Sequence, residues 1–413
     1  MKTIKEQVTE RLIRYAKINT ASDSYADSFP SSARQRDLAV MLYNELKEFG
    51  TDEVHYDEKK CIVYARIKSN LKNTKTKAVG LIAHLDTSPE APSENIKPWL
   101  LENYDGGAIL LNAEENITMT PVEFPVLKNY VGKDLILTDG TTLLGADDKA
   151  AISSIMTFAE FVKNNPDFPH GDICLAFTPD EEVGGLARDL DFERFGADVA
   201  YTVDCDHLGH YSKETFYASE VEITVKGLGV HPGTAKGIMK NAAEITAEFI
   251  SSLPEKEKPQ FTEGREGFFY VISSAATCEK GKIELIIRDF DFKKFKEKEN
   301  LIAKISERLN QKHGQGTVSF QINEQYKNMA EVIDNYPFLT EKLKEAITLA
   351  GVEAVEEPFR GGTDGAALSF RGLPCPNLSA GYENAHGKYE FACVQSMEKN
   401  VEILKNLIKI YSK

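Results

Sequence analysis

Residues 78–92 read AVGLIAHLDTSPEAP, in which an apolar run is followed by polar residues and prolines. Its first six residues are a continuous apolar run, which is typical of a strand buried on both faces of a parallel sheet. The run leads directly into His84 and Asp86. Ligands of open α/β sheets bind outside the carboxyl ends of the strands. The stretch therefore predicts a buried strand that delivers two polar side chains to a site at the edge of such a sheet.

Two further predicted strands end in acids. The apolar run 172–178 leads into Glu181 and Glu182, and the run 197–203 is followed by Asp204. Because the carboxyl ends of parallel strands share one edge of a sheet, these acids are expected to converge with the histidine at the end of the first strand.

The order of the elements predicts an α/β protein with an inserted domain. Helical apolar spacing marks segments between and around these strands. Near residue 215 the order becomes β-α-β-β-α-β, which is the ferredoxin-like plan. We therefore predict a larger domain with a central mixed or parallel sheet, formed by 1–215 and 327–413. The ferredoxin-like insertion would occupy 216–326. The predicted helices outside the insertion cover 3–17, 33–49, 150–162, 336–350 and 395–411.

Composition excludes several classes of partner. The chain has 413 residues and a formal net charge of −15, so binding to nucleic-acid phosphates is not expected. No apolar run approaches the roughly 18 residues of a membrane helix, and the first residues do not resemble a secretion signal. The six cysteines show no CxxC spacing. We expect reduced thiols and a cytoplasmic location.

The chemistry of the strand-end residues indicates a metal site. Two further polar pieces are GADDK at 145–149 and NAHG at 384–387. Imidazole and carboxylate are common zinc ligands. Clustered carboxylates repel each other unless cations neutralise them, and two divalent ions bridged by one carboxylate would do so. Each piece alone is more often a core histidine, a solvated acidic surface or a turn. Their joint placement at strand ends is a stronger signal for a two-metal hydrolase site, and a purely structural role stays open at this point.

With these residues assembled, the sequence resembles the peptidase T family, bacterial tripeptidases within a wider group of two-zinc exopeptidases. The resemblance covers nearly the whole chain, and LLGADDKA and FRGGTDGA favour the tripeptidase branch. The motifs that carry it are HLDTSPEAP (84–92), TDGTTLLGADDKA (138–150), FTPDEEVGG (177–185), YTVD (201–204), GVHPGTAK (229–236), IIRDFD (286–291), FRGGTDGA (359–366) and AGYENAHGKYE (380–390).

The resemblance implies two zinc ions in each subunit. Asp147 would bridge them. His84 and Asp204 would complete one site, and Glu182 and His386 would complete the other.

The resemblance also implies the catalytic roles. Glu181 would be the general base that deprotonates the attacking water and then delivers the proton to the leaving amine. Asp86 would accept a hydrogen bond from His84 and fix the tautomer of that ring.

The resemblance further implies that the insertion is a lid that carries the contact of a homodimer. His231 would reach the active site of the partner subunit and hold the developing oxyanion. Asn241, Arg288 and Arg360 would bind the substrate, with the arginines suited to the terminal carboxylate of a short peptide. The implied activity is tripeptide aminopeptidase. The alternatives are a dipeptidase or N-acyl-amino-acid deacylase of the same group, and a non-catalytic metal- or peptide-binding protein.

One segment departs from the family. Members usually have glycines after the metal-binding aspartate of TVD, whereas this chain has Cys205, Asp206, His207 and Leu208. The following segment, KETFYASE at 213–220, differs as well. Cys205 and His207 would either bind metal or fill space, and we favour filling space. The departure bears on fine substrate preference and leaves the metal centre intact.

Overall fold

The computed structural model of the chain describes residues 2–72, 76–185 and 187–413. The chain divides into two compact units. The larger unit contains the residues up to Lys213 together with Met329–Glu357 and Thr363–Lys413, and the smaller contains Glu214–Asn328 and Pro358–Gly362. The short segment 358–362 thus packs with the smaller unit, whereas the predicted boundaries place it in the larger domain.

The helices and strands are numbered in chain order. The helices are α1 (Ile4–Ala16), α2 (Gln35–Glu48), α3 (Ala146–Asn164), α4 (Phe192–Phe195), α5 (Ala242–Ser251), α6 (Phe292–His313), α7 (Ala330–Ile333), α8 (Pro337–Leu349), α9 (Asp364–Phe370) and α10 (Val394–Tyr411). The strands are β1 (Glu53–Asp57), β2 (Ile62–Ile67), β3 (Val79–His84), β4 (Trp99–Leu101), β5 (Ile109–Asn112), β6 (Ile117–Met119), β7 (Leu135–Leu137), β8 (Ile173–Thr178), β9 (Val199–Cys205), β10 (His210–Ser212), β11 (Tyr217–Lys226), β12 (Phe268–Ala276), β13 (Lys280–Asp289), β14 (Val318–Tyr326), β15 (Val355–Glu356), β16 (Asn377–Ser379), β17 (Tyr382–Glu383) and β18 (Phe391–Cys393).

A mixed sheet forms the centre of the larger unit, in the order β1-β2-β8-β3-β9-β16-β10-β15. Its middle strands β8, β3, β9 and β16 are parallel to one another, and the strands that flank them, β2 and β10, are antiparallel to β8 and β16. Every residue of β3 and β8 is buried, as the continuous apolar runs predict. The α/β class is confirmed, and the parallel strands end together at one edge of the sheet.

Helix α3 is the central helix of the larger unit. It is buried along almost its whole length, and it packs against α1, α10 and the strands β3 and β9. A helix that is apolar on all sides must lie in the interior, because no face of it gains from contact with water. This burial fixes the position of its first residues, which include Asp147 and Asp148.

A second, smaller sheet of the larger unit has the antiparallel order β17-β18-β7-β4. Its strands are two or three residues long, so they leave no period that sequence analysis can detect. The loop between β17 and β18 carries His386.

The smaller unit has the ferredoxin-like plan predicted from the sequence. Its antiparallel sheet has the order β12-β13-β11-β14, and α5 and α6 pack on it. Side chains of β11 and β13 alternate between buried and less buried, as expected for strands with one covered face.

In the described part of the chain, no helix is both long and apolar enough to cross a membrane.

Candidate metal centre

The first group of ligands lies at the ends of β3 and β9. The Nε2 atom of His84 lies 3.0 Å from Oδ1 of Asp147 and 3.5 Å from Oδ1 of Asp204. Side chains of His84 and Asp204 are 2% and 6% exposed, so the group sits at the floor of the site. These residue types at this spacing can hold a divalent cation.

The second group shares one residue with the first. Nε2 of His386 lies 2.8 Å from Oε2 of Glu182 and 3.3 Å from Oδ2 of Asp147. The His386 side chain is 40% exposed, so this group is closer to solvent. The carboxylate of Asp147 therefore faces one histidine with each of its two oxygens. Among the described residues, the ligand atoms of each group all lie within 4.8 Å of one another.

The charges of the centre are balanced by protons when no metal is bound. Burial raises the pKa of Glu182 to about 8 and that of Asp204 to about 6. Burial opposes protonation of His386, but hydrogen bonds with Asp147 and Glu182 raise its pKa to about 12. Clustered carboxylates thus hold or attract protons, and divalent cations would replace those protons.

An unpaired oxygen of one ligand supports the fit of a cation to these residues. Within the described chain, Oε1 of Glu182 is buried and has no hydrogen-bond partner. A buried carboxylate oxygen without a partner costs free energy unless a cation or a proton satisfies it. The donor set of imidazole and carboxylate is suited to zinc and to related divalent ions.

Asp86 holds the turn that carries the two glutamates. Its carboxylate oxygens accept hydrogen bonds from the main-chain N–H groups of Glu181 and Glu182 at 3.0 and 3.1 Å. Nδ1 of His84 lies 3.0 Å from the main-chain oxygen of Asp86 and 3.4 Å from its Oδ1. An N–H at Nδ1 would leave the lone pair of Nε2 for a cation. The predicted contact with His84 thus involves chiefly the main chain of Asp86.

Glu181 lies near the acids of the centre, and its role as a general base stays a prediction. It follows β8 in a short 3₁₀ turn, Glu181–Val183. Burial raises the pKa of Glu181 well above its usual range, and the negative charge of Asp204 raises it further. Both effects make the Glu181 carboxylate a stronger base than an ordinary glutamate.

Two buried acids that the sequence analysis missed support the loops of the centre. Asp180 accepts hydrogen bonds from the main-chain N–H of Ser31 and from the amide of Gln35 at 2.7 and 2.6 Å. Glu390 accepts hydrogen bonds from the main-chain N–H groups of Leu144, Gly145 and Asp147. Both acids lie within quoted motifs, but a sequence does not show that an acid's partners are main-chain groups elsewhere in the chain.

Both predicted substrate-binding arginines lie in the smaller unit, and their N–H groups contact protein atoms. Nη2 of Arg288 donates to Oε1 of Gln325 at 2.8 Å. Nη1 of Arg360 donates to the main-chain oxygens of Gly264 and Glu266 at 2.6 and 3.0 Å. Binding of a substrate carboxylate would exchange these contacts, and that role stays a prediction.

The other two predicted substrate-binding residues also lie in the smaller unit. Nδ1 of His231 accepts a hydrogen bond from Gly233 N–H at 3.1 Å, and His231 is exposed. Oδ1 of Asn241 accepts a hydrogen bond from Ala243 N–H at 3.1 Å and thereby caps α5. Their contacts with substrate stay predictions.

The atypical segment after Asp204 joins neither ligand group among the described residues. Cys205 is 5% exposed and packs as a buried thiol. Nδ1 of His207 lies 2.7 Å from Oε1 of Glu383, which also accepts a hydrogen bond from the hydroxyl of Tyr130. The segment thus supports the fold beside the centre.

Comparisons with known proteins identify the family of the chain. The peptidase dimerisation domain family matches residues 214–317. A curated relative named Peptidase T, from Alkaliphilus oremlandii, is 47% identical over 409 residues, which cover 99% of this chain and 100% of the relative. The chain belongs to the peptidase T family. It is accordingly an enzyme, a metallo-aminopeptidase of that family.

Solved structures share the fold of this peptidase T family member. A tripeptidase from Staphylococcus aureus has a TM-score of 0.78 at 20% identity and covers 99% of this chain and 98% of its own. A dinuclear metal-binding peptidase from Bacillus subtilis has a TM-score of 0.65 at 13% identity and covers 98% of each chain.

Proposed function

We propose that the protein removes the amino-terminal residue of tripeptides with two zinc ions and Glu181 as the general base. Asp147 would be shared by both ions. His84 and Asp204 would hold one of them. Glu182 and His386 would hold the other.

One observation carries the proposal. Each carboxylate oxygen of Asp147 faces a different histidine, at 3.0 Å for His84 and 3.3 Å for His386. A single carboxylate placed between two nitrogen and oxygen ligand groups is the arrangement of two-metal hydrolases. The Bacillus subtilis neighbour, which is described as a dinuclear metal-binding peptidase, has the same fold.

The bound ions would polarise the scissile carbonyl and make the attacking water more acidic. Glu181 would accept the proton of that water and pass it to the leaving amine. Its raised pKa makes the carboxylate a stronger base than an ordinary glutamate and so favours acceptance of the proton. Asp86 would hold the main chain of Glu181 and Glu182 still, so that the base and a metal ligand keep one relative position.

The tripeptide preference rests on the family and on groups that could bind the ends of a peptide. The Staphylococcus aureus neighbour is described as a tripeptidase. Arg288 and Arg360 can each pair with a carboxylate once their present contacts are exchanged. A site that binds both ends of a short peptide selects its length.

The proposal includes a homodimer and a reducing compartment. The match of residues 214–317 to a peptidase dimerisation domain supports self-association through the smaller unit. The six cysteines all lie among the described residues and are free thiols, in keeping with the cytoplasm. Sedimentation of the full chain tests the dimer, and a monomer at micromolar concentration would contradict it.

The substitution Glu181→Gln tests the general base. The amide cannot accept the proton, so kcat on a free tripeptide should fall by about 10²–10⁴-fold while KM changes little. Zinc content should stay at the wild-type value. The neighbouring substitution Glu182→Gln is the matched control, because it should lower zinc content. Wild-type turnover by zinc-loaded Glu181→Gln would remove Glu181 from this role.

A substrate panel tests the specificity. Purified zinc-loaded protein is given free di-, tri- and tetrapeptides and N-acylated amino acids. Release of the first residue from tripeptides alone is the expected result. Cleavage of N-acylated amino acids without cleavage of any free tripeptide would favour the deacylase alternative.

A further inference from the structure

The loop that leads into α3 is fastened by a carboxylate from a distant part of the chain. Glu390 is 2% exposed. Its Oε2 accepts hydrogen bonds from the main-chain N–H groups of Leu144 and Gly145 at 2.8 and 2.7 Å. Its Oε1 accepts one from the main-chain N–H of Asp147 at 2.9 Å. A single side chain thus binds three N–H groups of one short loop.

This loop requires acceptors from outside itself. Gly145 is the N-cap of α3, has a φ of 74°, and offers no side chain to cap the helix. Asp147 and Asp148 have non-helical dihedral angles, so the first residues lie outside the regular helical hydrogen-bond ladder. Buried N–H groups without acceptors are costly. Glu390 therefore satisfies donors that the loop cannot satisfy.

The same carboxylate links the loops that carry two ligands. Glu390 lies four residues after His386, and its own N–H donates to the main-chain oxygen of Gly387 at 3.3 Å. Nε2 of His386 lies 3.3 Å from Oδ2 of Asp147. Glu390 therefore connects the two ligands: its carboxylate is bonded to the main chain of Asp147, and its own main chain lies four residues from His386.

We propose that Glu390 is a positioning residue for the metal centre, which holds the loop 144–147 so that the Asp147 carboxylate faces both histidines. The inference rests on the proposed two-metal function. Among the described residues, Glu390 belongs to neither ligand group, and it acts through the main chain of Asp147. Loss of such an outer partner typically weakens metal binding or activity about 10–100-fold.

The test measures zinc affinity by competition with a chelator for wild-type protein, Glu390→Gln and Glu390→Asp. Glutamine keeps the size of the side chain but places an NH₂ group against a main-chain N–H. Zinc affinity should fall about 10–100-fold, and kcat in excess zinc should fall while KM changes little. Aspartate keeps the negative charge and should recover part of both losses.

The matched control is Asp134→Asn. Asp134 is also a buried acid, 6% exposed, and accepts a hydrogen bond from the main-chain N–H of Asn103 at 2.8 Å. It contacts no member of the two ligand groups among the residues described. This variant should lose stability and keep the zinc affinity and kcat of wild type.

Hydrogen exchange of the metal-free proteins gives a readout that does not depend on activity. The peptide 138–150 should exchange faster in Glu390→Gln, while peptides of the smaller unit should not change. If Glu390→Gln does not fold, Glu390→Asp carries the same tests. A folded variant with wild-type zinc affinity, kcat and exchange would overturn the inference. Wild-type protein that binds no zinc would instead contradict the proposed function.

Discussion

At the residue scale, the pairing of His207 with Glu383 makes stability depend on pH. The hydrogen bond with Glu383 raises the pKa of His207 to about 9, although burial opposes the rise. A histidine with a raised pKa stabilises the fold fully below its unfolded value of about 6.5, and the contribution is lost as pH rises through 9. The ring is 41% exposed, so water screens the pair and it contributes about 1 kcal/mol at most.

The substitution His207→Asn tests this pair. The difference in free energy of unfolding between wild type and variant should be present at pH 6 and should vanish as pH rises above 9. Urea unfolding at several pH values between 6 and 10 measures it. A difference that stays constant over this range would show that the charge of His207 does not contribute.

The candidate ligands are predictable from the sequence because they follow buried strands or lie in recognisable motifs. His84 and Asp204 end apolar runs, and the structure brings them to 3.5 Å from each other. Glu390 and Asp180 are not predictable in this way. Their partners are main-chain N–H groups and an amide far away in sequence, and no residue type marks those partners.

At the element scale, the turn Glu181–Val183 depends on an acceptor from the loop after β3. The carboxylate of Asp86 accepts hydrogen bonds from the main-chain N–H groups of Glu181 and Glu182. We predict that Asp86→Ala lowers kcat about 10–100-fold with little change in KM, because the base and a metal ligand lose their fixed position. Steady-state kinetics of the zinc-loaded variant measures both constants.

A matched control lies in the same unit. Asp191 caps α4 by accepting hydrogen bonds from the N–H groups of Glu193 and Arg194 at 3.1 and 3.2 Å. Asp191→Ala should reduce stability by about 1 kcal/mol and leave kcat unchanged. Equal effects of Asp86→Ala and Asp191→Ala on kcat would count against a positioning role for Asp86.

The long elements of both units were predicted, and the short ones were not. Helices such as α6 and α10 and strands such as β11 and β13 carry several periods of apolar spacing. Strands β17 and β18 have two and three residues, so their pairing is set by neighbouring segments and leaves no local pattern. The loop of His386 was therefore predicted from its motif and not from its elements.

At the scale of the whole molecule, the buried acids make the metal-free protein sensitive to pH. Burial raises the pKa of Glu182 to about 8, of Asp364 to about 7 and of Asp204 to about 6. The folded protein therefore keeps protons that the unfolded chain releases between about pH 4 and pH 8. The free energy of unfolding consequently falls as pH rises across this window.

We predict that the urea midpoint of chelator-treated protein is lower at pH 8 than at pH 5. The free energy of unfolding should be lower by on the order of a few kcal/mol. Divalent ions replace the protons and bind only the folded state, so the zinc-loaded protein should be more stable and should lack this fall. A midpoint that rises from pH 5 to pH 8 without metal would contradict the prediction.

A crystal structure of the zinc-loaded chain, with anomalous scattering recorded at the zinc edge, would show whether two ions share Asp147. Two anomalous peaks roughly 3.5–4 Å apart are expected, with the Asp147 carboxylate between them. One peak should contact His84 and Asp204, and the other should contact Glu182 and His386. A single peak, or two peaks of which only one contacts Asp147, would contradict the shared-carboxylate centre.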